Sequence, residues 1–207
     1  MTDTIIGYVH GASVDGVFLD SLMAILHEDR FRTIEGCISI ESGPLLVTAR
    51  NVLVEAFLET GKEWLLMVDT DMELPTDVVD RLKRHASPDR VVGALCFAFD
   101  RRSRGMAPTM YVGERLTPVT EWEPGALVPV WSTGAACLLI HRDVFAKLER
   151  PWFRQSTDGS YGEDQGFCMN LALAGIELAV DTSTVAGHSK GLVVGLTDWT
   201  GRSKMEA

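Results

Sequence analysis

Apolar residues along this chain follow two rhythms. Short unbroken runs, the pattern of strands buried on both faces, alternate with stretches where apolar residues return every three or four positions, the pattern of helices. "TIIGYVH" (4–10) predicts a first strand, and "GASVDG" breaks it. "VFLDSLMAILHED" (17–29) then sets Phe18, Leu22, Ile25 and Leu26 on one helical face. "CISI" (37–40) predicts a second strand. A Gly-Pro break at 43–44 and Gly61 bound a helix that is apolar on most sides apart from Arg50, Asn51 and Glu55. "EWLLMV" (63–68) is the next strand. Pro75 opens a helix over "TDVVDRLKRH" (76–85), with Asp77 and Asp80 early and Lys83, Arg84 and His85 late, as the helix dipole favours. "RVVGALCFAF" (90–99) is a further strand.

From Asp100 to Pro129 the pattern fails. The segment is rich in Pro, Gly and Arg, has no sustained period, and predicts a long mobile or functional loop. Order resumes in "VPVWSTGAACLLIHRDVFAKL" (128–148), read as two short strands about Gly134 and then a helix. "GEDQGFCMNLALAG" (162–175) is a helix with Phe167, Leu171 and Ala174 on one face and Gly175 as its stop. "IELAVD" (176–181) is a last strand, followed by "TSTVAGHSKG" and a tail at 192–207 with no assignable element. Strands alternating with helices predict one α/β domain over 1–207, with a mixed, mostly parallel sheet flanked by helices. In such sheets ligands bind beyond the carboxyl ends of the strands.

Composition adds bounds rather than direction. The 207 residues are 46% hydrophobic and 23% charged, an ordinary globular balance. The formal net charge of −10 disfavours broad nucleic-acid binding and suits a cation site. Cys37, Cys96, Cys137 and Cys168 lie among apolar neighbours with no C-x-x-C pair, so they are expected as buried free thiols in a reducing compartment. The N-terminus lacks a basic region before its short apolar run, and no apolar stretch reaches the ~18–20 residues that span a bilayer. A soluble, cytoplasmic protein is expected, in a host cytoplasm if the source is viral.

The chemistry concentrates at "WLLMVDTDMELP" (64–75), where an apolar run ends in Asp69 and Asp71. Two buried carboxylates repel, and desolvation would protonate one of them. A hard divalent cation, Mg²⁺ or Mn²⁺, removes the conflict and leaves positions for substrate phosphates. A solvated turn before a helix is the plain alternative. Haloacid-dehalogenase-type phosphatases also place D-x-D after a strand. Here Glu73 stands where their Thr or Val belongs, and the strand is not the first.

Other groups fit the same site. Glu163 and Asp164 open a helix after a glycine-flanked loop, where the dipole favours the ionised form a general base requires; simple capping would also place acids there. His188 follows the last strand and can complete a carboxylate-rich Mn²⁺ site. Arg50 is either a structural ion pair with a core carboxylate or a guanidinium aimed at the aspartates or a phosphate. Arg101, Arg102 and Arg104 form a basic run, a solvated face or a contact for an acidic acceptor or a diphosphate. G-x-G-x-x-G, Walker A and G-x-S-x-G patterns are absent.

Taken in order, "TARNVLVEAFL", "WLLMVDTDM", "WSTGAACLLIHRDVF", "GEDQGF" and "GHSKG" resemble the GT-A glycosyltransferases, in particular small family-2-like enzymes of bacteria and phages. The resemblance spans Thr48 to Gly191. It implies a GT-A (Rossmann-like nucleotide-diphospho-sugar transferase) fold, a UDP- or GDP-linked sugar donor, and Mn²⁺ or Mg²⁺. By the same resemblance Asp71 binds the metal, Asp69 the metal or the donor ribose, and His188 is a further metal ligand. Asp164 is the base that deprotonates the acceptor hydroxyl, with inversion at the anomeric carbon, and Glu163 orients acceptor or donor. His10, Arg50 and Asn51 line the nucleotide pocket, and Ser132, Thr133 and Gly134 face the donor sugar and acceptor. The first strand lacks the family's usual base-holding acid, unless Asp15 or Glu41 serves. The acceptor is open among protein, glycan, lipid head group and modified base. Two other classes remain: a metal-dependent phosphoesterase or nucleotidyltransferase, motivated by the same carboxylates and Arg50, and a non-catalytic nucleotide-sugar-binding module.

Overall fold

Alternation inside the buried runs decides which layer each helix covers. The structure, a computed structural model, describes residues 2–29, 33–100 and 105–189. In chain order its elements are β1 (Thr4–His10), α1 (Gly16–Glu28), β2 (Ile34–Glu41), α2 (Leu46–Glu59), β3 (Trp64–Asp69), β4 (Met72–Glu73), α3 (Val78–Lys83), β5 (Arg90–Asp100), β6 (Gly105–Pro108), β7 (Met110–Val112), β8 (Thr117–Pro118), β9 (Leu127–Pro129), β10 (Ser132–Thr133), β11 (Cys137–His141), α4 (Arg142–Lys147), α5 (Glu163–Leu173) and β12 (Glu177–His188).

The main sheet runs β2-β1-β3-β11-β5-β12-β4. Strands β2, β1, β3, β5 and β12 point one way, and β11 runs against both its neighbours. Leu65 and Met67 of β3, with Leu138 and Ile140 of β11, face a core that also holds Leu53 and Phe57 of α2, Phe145 of α4 and Phe167 of α5. The alternate residues Leu66, Val68, Cys137 and Leu139 face Phe18, Leu22 and Ile25 of α1 and Val78 and Leu82 of α3. Period two in the strands thus feeds two helical layers from one sheet. No helix among the described residues is long and apolar enough to cross a membrane.

Several details differ from the sequence expectation. Leu26 sits at the edge of the buried face of α1 and stays exposed, as does Ala174 beyond α5. The α3 helix is only Val78–Lys83. The cysteines are free, but only Cys96, Cys137 and Cys168 are buried; Cys37 is exposed on β2. Burial pushes the Cys96 thiol up to about 12 and Cys168 to about 11, so both are inert hydrophobes. Between 100 and 129 the chain forms short strands rather than an unstructured loop: β6 pairs with β5, β7 with β8 and β10, and β9 with β12. The basic run at Arg101, Arg102 and Arg104 and the tail at 192–207 lie outside the described residues.

The largest difference is β12. It does not end at Asp181 but continues to His188 through a register shift between Asp181 and Val185. Asp181 makes that bulge. Its buried carboxylate accepts from Ser183 N–H at 2.9 Å, Ser183 Oγ at 2.7 Å and Thr184 Oγ1 at 2.6 Å. Burial alone would push this carboxyl up, but the Thr184 and Ser183 hydrogen bonds outweigh it and hold it below the ordinary range. Beyond the bulge, Gly187 and His188 pair with Glu73 and Met72 of β4, which carries His188 to the end of β3.

At the other side of the sheet, α5 lies close against the 151–155 loop. A Cβ on Gly166 would fall 1.8 Å from the Arg154 carbonyl oxygen, so only glycine lets the first turn of α5 sit there. Gly166→Ala should therefore destabilise by at least the ~1–3 kcal/mol of ordinary overpacking, because the obstacle is backbone. Urea unfolding of the variant checks this; a midpoint equal to wild type would show that α5 can move freely.

Candidate active site

Strand ends and helix starts meet in one cleft of about 770 Å³. His10 ends β1, Asp69 ends β3, Ala98 lies toward the end of β5 and His188 ends β12; all four line it, at the carboxyl edge of the sheet. Asp71, Gly134, Glu163 and Asp164 also line it, as does Arg50, which is only 4% exposed. Three expected residues stand elsewhere. Asn51 gives its amide to Val47 O and Phe153 O, both at 2.8 Å, and accepts from Phe153 N–H, so it clamps the Phe153 loop. Ser132 and Thr133 are buried in β10 beneath α5, 1% and 3% exposed, and only Gly134 of that trio reaches the cleft.

The two aspartates divide rather than converge. Asp69 Oδ1 accepts from Arg50 Nη2 at 2.8 Å. Arg50 is 4% exposed; its Nη1 donates to Ala135 O at 3.3 Å, and its carbon centre lies 5.6 Å from the centre of the Phe153 ring. Its Nε makes no hydrogen bond among the described residues, although Glu163 Oε1 lies 3.5 Å away. The Asp69 contact is an ion pair, and it is also the contact that a guanidinium aimed at the aspartates makes. Burial pushes the Asp69 carboxyl above its ordinary range; Arg50 and His188 pull it down, while Asp71 and Glu163 push it further up.

Asp71 belongs to the other side. Its Oδ2 stands 3.1 Å from His188 Nε2, and His188 Nδ1 lies 2.8 Å from Phe97 O. A carbonyl only accepts, so Nδ1 carries a hydrogen. In the neutral ring Nε2 then presents a lone pair to a carboxylate oxygen at hydrogen-bond distance. Such a contact calls for a shared proton or a cation between them. Imidazole nitrogen with carboxylate oxygen, the ring fixed from behind by a backbone carbonyl, is a donor set that suits a divalent cation such as Mn²⁺. Among the described residues no three His, Cys, Asp or Glu side chains converge on one point, so the pair would be completed by substrate and water.

Asp164 stands in the first turn of α5, its Oδ1 accepting from Gln165 N–H at 2.7 Å. A Cβ on Gly134 would lie 3.9 Å from its Oδ2, so the glycine leaves space in front of the carboxylate. Burial, helped by Glu163, raises the Asp164 carboxyl despite the Gln165 hydrogen bond and the Arg50 charge. A raised carboxylate is a stronger base once ionised. Sequence reasoning did not find Phe97, whose carbonyl orients His188, nor Thr109 and Ser42 in the lining. Their only signal is position at strand ends. Asp15 lines the cleft, whereas Glu41 is exposed at the end of β2.

No protein-family model matches the chain, and no curated protein matches it. Solved structures do. "Crystal Structure of A197 from STIV" superposes with a TM-score of 0.62 at 19% identity, covering 92% of this chain and 87% of that one. "Crystal structure of GalNAc-T7 with UDP, GalNAc and Mn2+" gives a TM-score of 0.62 at 11% identity, covering 93% of this chain and 44% of that one. The fold is therefore the GT-A glycosyltransferase fold.

Removing Arg50 leaves Asp69 and Glu163 without their cation. Arg50→Met should cost roughly 3 kcal/mol, the low end for a broken buried pair because the Asp69 side chain keeps 37% exposure. Arg50→Lys should recover only part, since an ammonium cannot fork to Asp69 and Ala135 O together. Denaturant midpoints of the two variants decide; a wild-type midpoint in Arg50→Met would remove the pair from the structural account.

Proposed function

We propose that the protein is a glycosyltransferase that moves a sugar from a nucleotide-diphosphate donor to an acceptor hydroxyl. The reading rests above all on one arrangement: the Asp71–His188 pair and the raised Asp164 carboxylate line the same cleft at the carboxyl edge of a GT-A sheet. The UDP and Mn²⁺ named for the GalNAc-T7 structure agree with it.

Asp71 and His188 would hold the divalent cation, which when bound supplies charge stabilisation to the departing diphosphate. Asp69, fixed by Arg50, lies beside the end of β1 in the same cleft as His10, where it would meet the donor. Asp164 takes the acceptor proton as the acceptor oxygen bonds to the anomeric carbon and the bond to the diphosphate oxygen breaks. A single base facing away from the leaving group gives inversion. Glu163 is held near Arg50 and raises the basicity of Asp164 through its charge. Arg50 is 4% exposed and its Nη2 is engaged by Asp69, which weakens one motive for the phosphoesterase reading.

Asp71→Ala should abolish the stabilisation that Mn²⁺ and a nucleotide sugar together give to thermal unfolding. A panel of UDP- and GDP-sugars against nucleoside triphosphates tests the class: stabilisation by triphosphates alone would overturn glycosyl transfer.

Asp164→Asn should remove transfer and leave donor affinity in place. It should also raise the melting temperature at pH 7. The folded carboxyl titrates above its unfolded value of ~3.9, so its ionisation opposes folding at every pH above that range. The gain should shrink as pH falls toward ~4, where the wild-type carboxyl is protonated in both states. Calorimetric scans of both proteins from pH 4 to 8 check the sign, and a variant less stable at pH 7 would contradict it.

A further inference from the structure

The two groups assigned to the cation meet where a short strand pairing ends. His188 stands opposite Met72 of β4, which brings it beside Asp71, the residue before that strand. The pairing runs one residue further, and a side-chain bond is added there. Ser189 N–H donates to the Asp71 carbonyl at 2.7 Å. Ser189 Oγ donates to Asp15 Oδ2 at 2.6 Å. Asp15 N–H donates to the Thr70 carbonyl at 3.1 Å. Three hydrogen bonds thus close a ring through Asp15, Thr70, Asp71 and Ser189. The ring grips the turn that carries Asp71 from two sides and ties it to the residue after His188.

Asp15 has a second duty. Its Oδ1 accepts from Val17 N–H at 3.0 Å and caps α1. Its two carboxylate oxygens therefore serve two neighbours, one in the helix and one just past the strand that delivers His188. A serine at this position would cap the helix equally well but is too short to reach Ser189. The carboxylate is needed for the second bond alone.

We propose that the Asp15–Ser189 hydrogen bond is a clasp that, beyond the β4–β12 pairing, holds the Asp71–His188 spacing, and that Asp15 is a positioning residue for the cation site. The proposal rests on the reading of Asp71 and His188 as cation ligands. It gives Asp15 a task distinct from holding a nucleobase. Gly187 supports the same need for exact seating: a Cβ there would fall 3.0 Å from Glu73 Oε2 and 3.1 Å from its Cβ, so this last stretch of β12 lies tight against β4.

The test uses Mn²⁺ alone, titrated calorimetrically into the full chain with no donor. Ser189→Ala breaks the clasp and leaves the cap; Asp15→Ser does the same from the other side. Each should weaken Mn²⁺ binding about tenfold, as loss of an outer partner does at metal sites. The double variant should be no worse than either single, since both remove one bond. Singles that bind within twofold of wild type, or a double variant that loses the product of the two effects, would overturn the clasp. Imidazole NMR of the metal-free proteins separates this from the ligand reading. The His188 ring should give one set of signals in wild type and shifted or broadened signals in both variants. If wild type binds no Mn²⁺, the cation assignment fails, and identical His188 signals in all proteins would sink the clasp as well; changed signals would keep it as the device that seats the ring.

Discussion

A guanidinium that is 4% exposed has to be neutralised where it lies, and the neutralisation of Arg50 organises this molecule. Its partners come from four places: Asp69 at the end of β3, Ala135 O before β11, Glu163 at the start of α5 and the face of Phe153 in the loop before α5. No two of these are neighbours in sequence except through the fold. Bringing them to one cation fixes the end of the central strand against the start of the helix that carries Asp164. One positive charge facing two carboxylates, with Asp71 and Asp164 close by, leaves the cleft rich in negative charge. The carboxyls of Asp69 and Asp164 are raised chiefly by burial, and neighbouring carboxylates add to it. A cleft in this state gains from any cation that enters it.

Stability and chemistry pull against each other here. The Asp164 carboxylate would be more comfortable in water, yet α5 holds it in a crowded, half-buried turn. Gly166 makes that possible by letting the helix approach the Arg154 carbonyl closely. The strain is confined to a small region, while the two apolar layers on either side of the sheet are complete. Such placement of unfavourable charge on a rigid scaffold is the usual form of a pre-organised site.

The alternation of apolar runs and helical periods carried the layers, the sheet and the strand-end position of Asp69 into plain view. It failed where backbone, not side-chain pattern, makes the structure. Strands β6 to β10 are two to four residues long and sit among prolines and glycines, too short for a period to register. The Asp181 bulge puts "TST" in the middle of β12, so the strand reads as finished seven residues before His188. Asn51 misled for a different reason. Adjacent residues on a helix point about 100° apart, so a neighbour of Arg50 in sequence faces another surface and finds Phe153 instead of the cleft. Ser132 and Thr133 lie on a strand that α5 covers, which no local pattern announces.

Two aspartates separated by one threonine look like a single charged unit, and the structure treats them as two. Residue 69 is the last of β3 and its side chain goes to the layer of α2 and α5, where Arg50 waits. Residue 71 lies past the strand, in the turn, and its side chain goes toward β12 and His188. The intervening Thr70 offers its carbonyl to Asp15, which holds the turn open. Repulsion between the pair is met by a separate partner for each, a permanent cation for one and an imidazole for the other. The countercharge of Asp69 is built into the protein. Asp71 faces a ring whose nearer nitrogen can share a proton with it or, under the proposed function, a metal ion. A strand can end in two acids when the fold gives each of them its own partner.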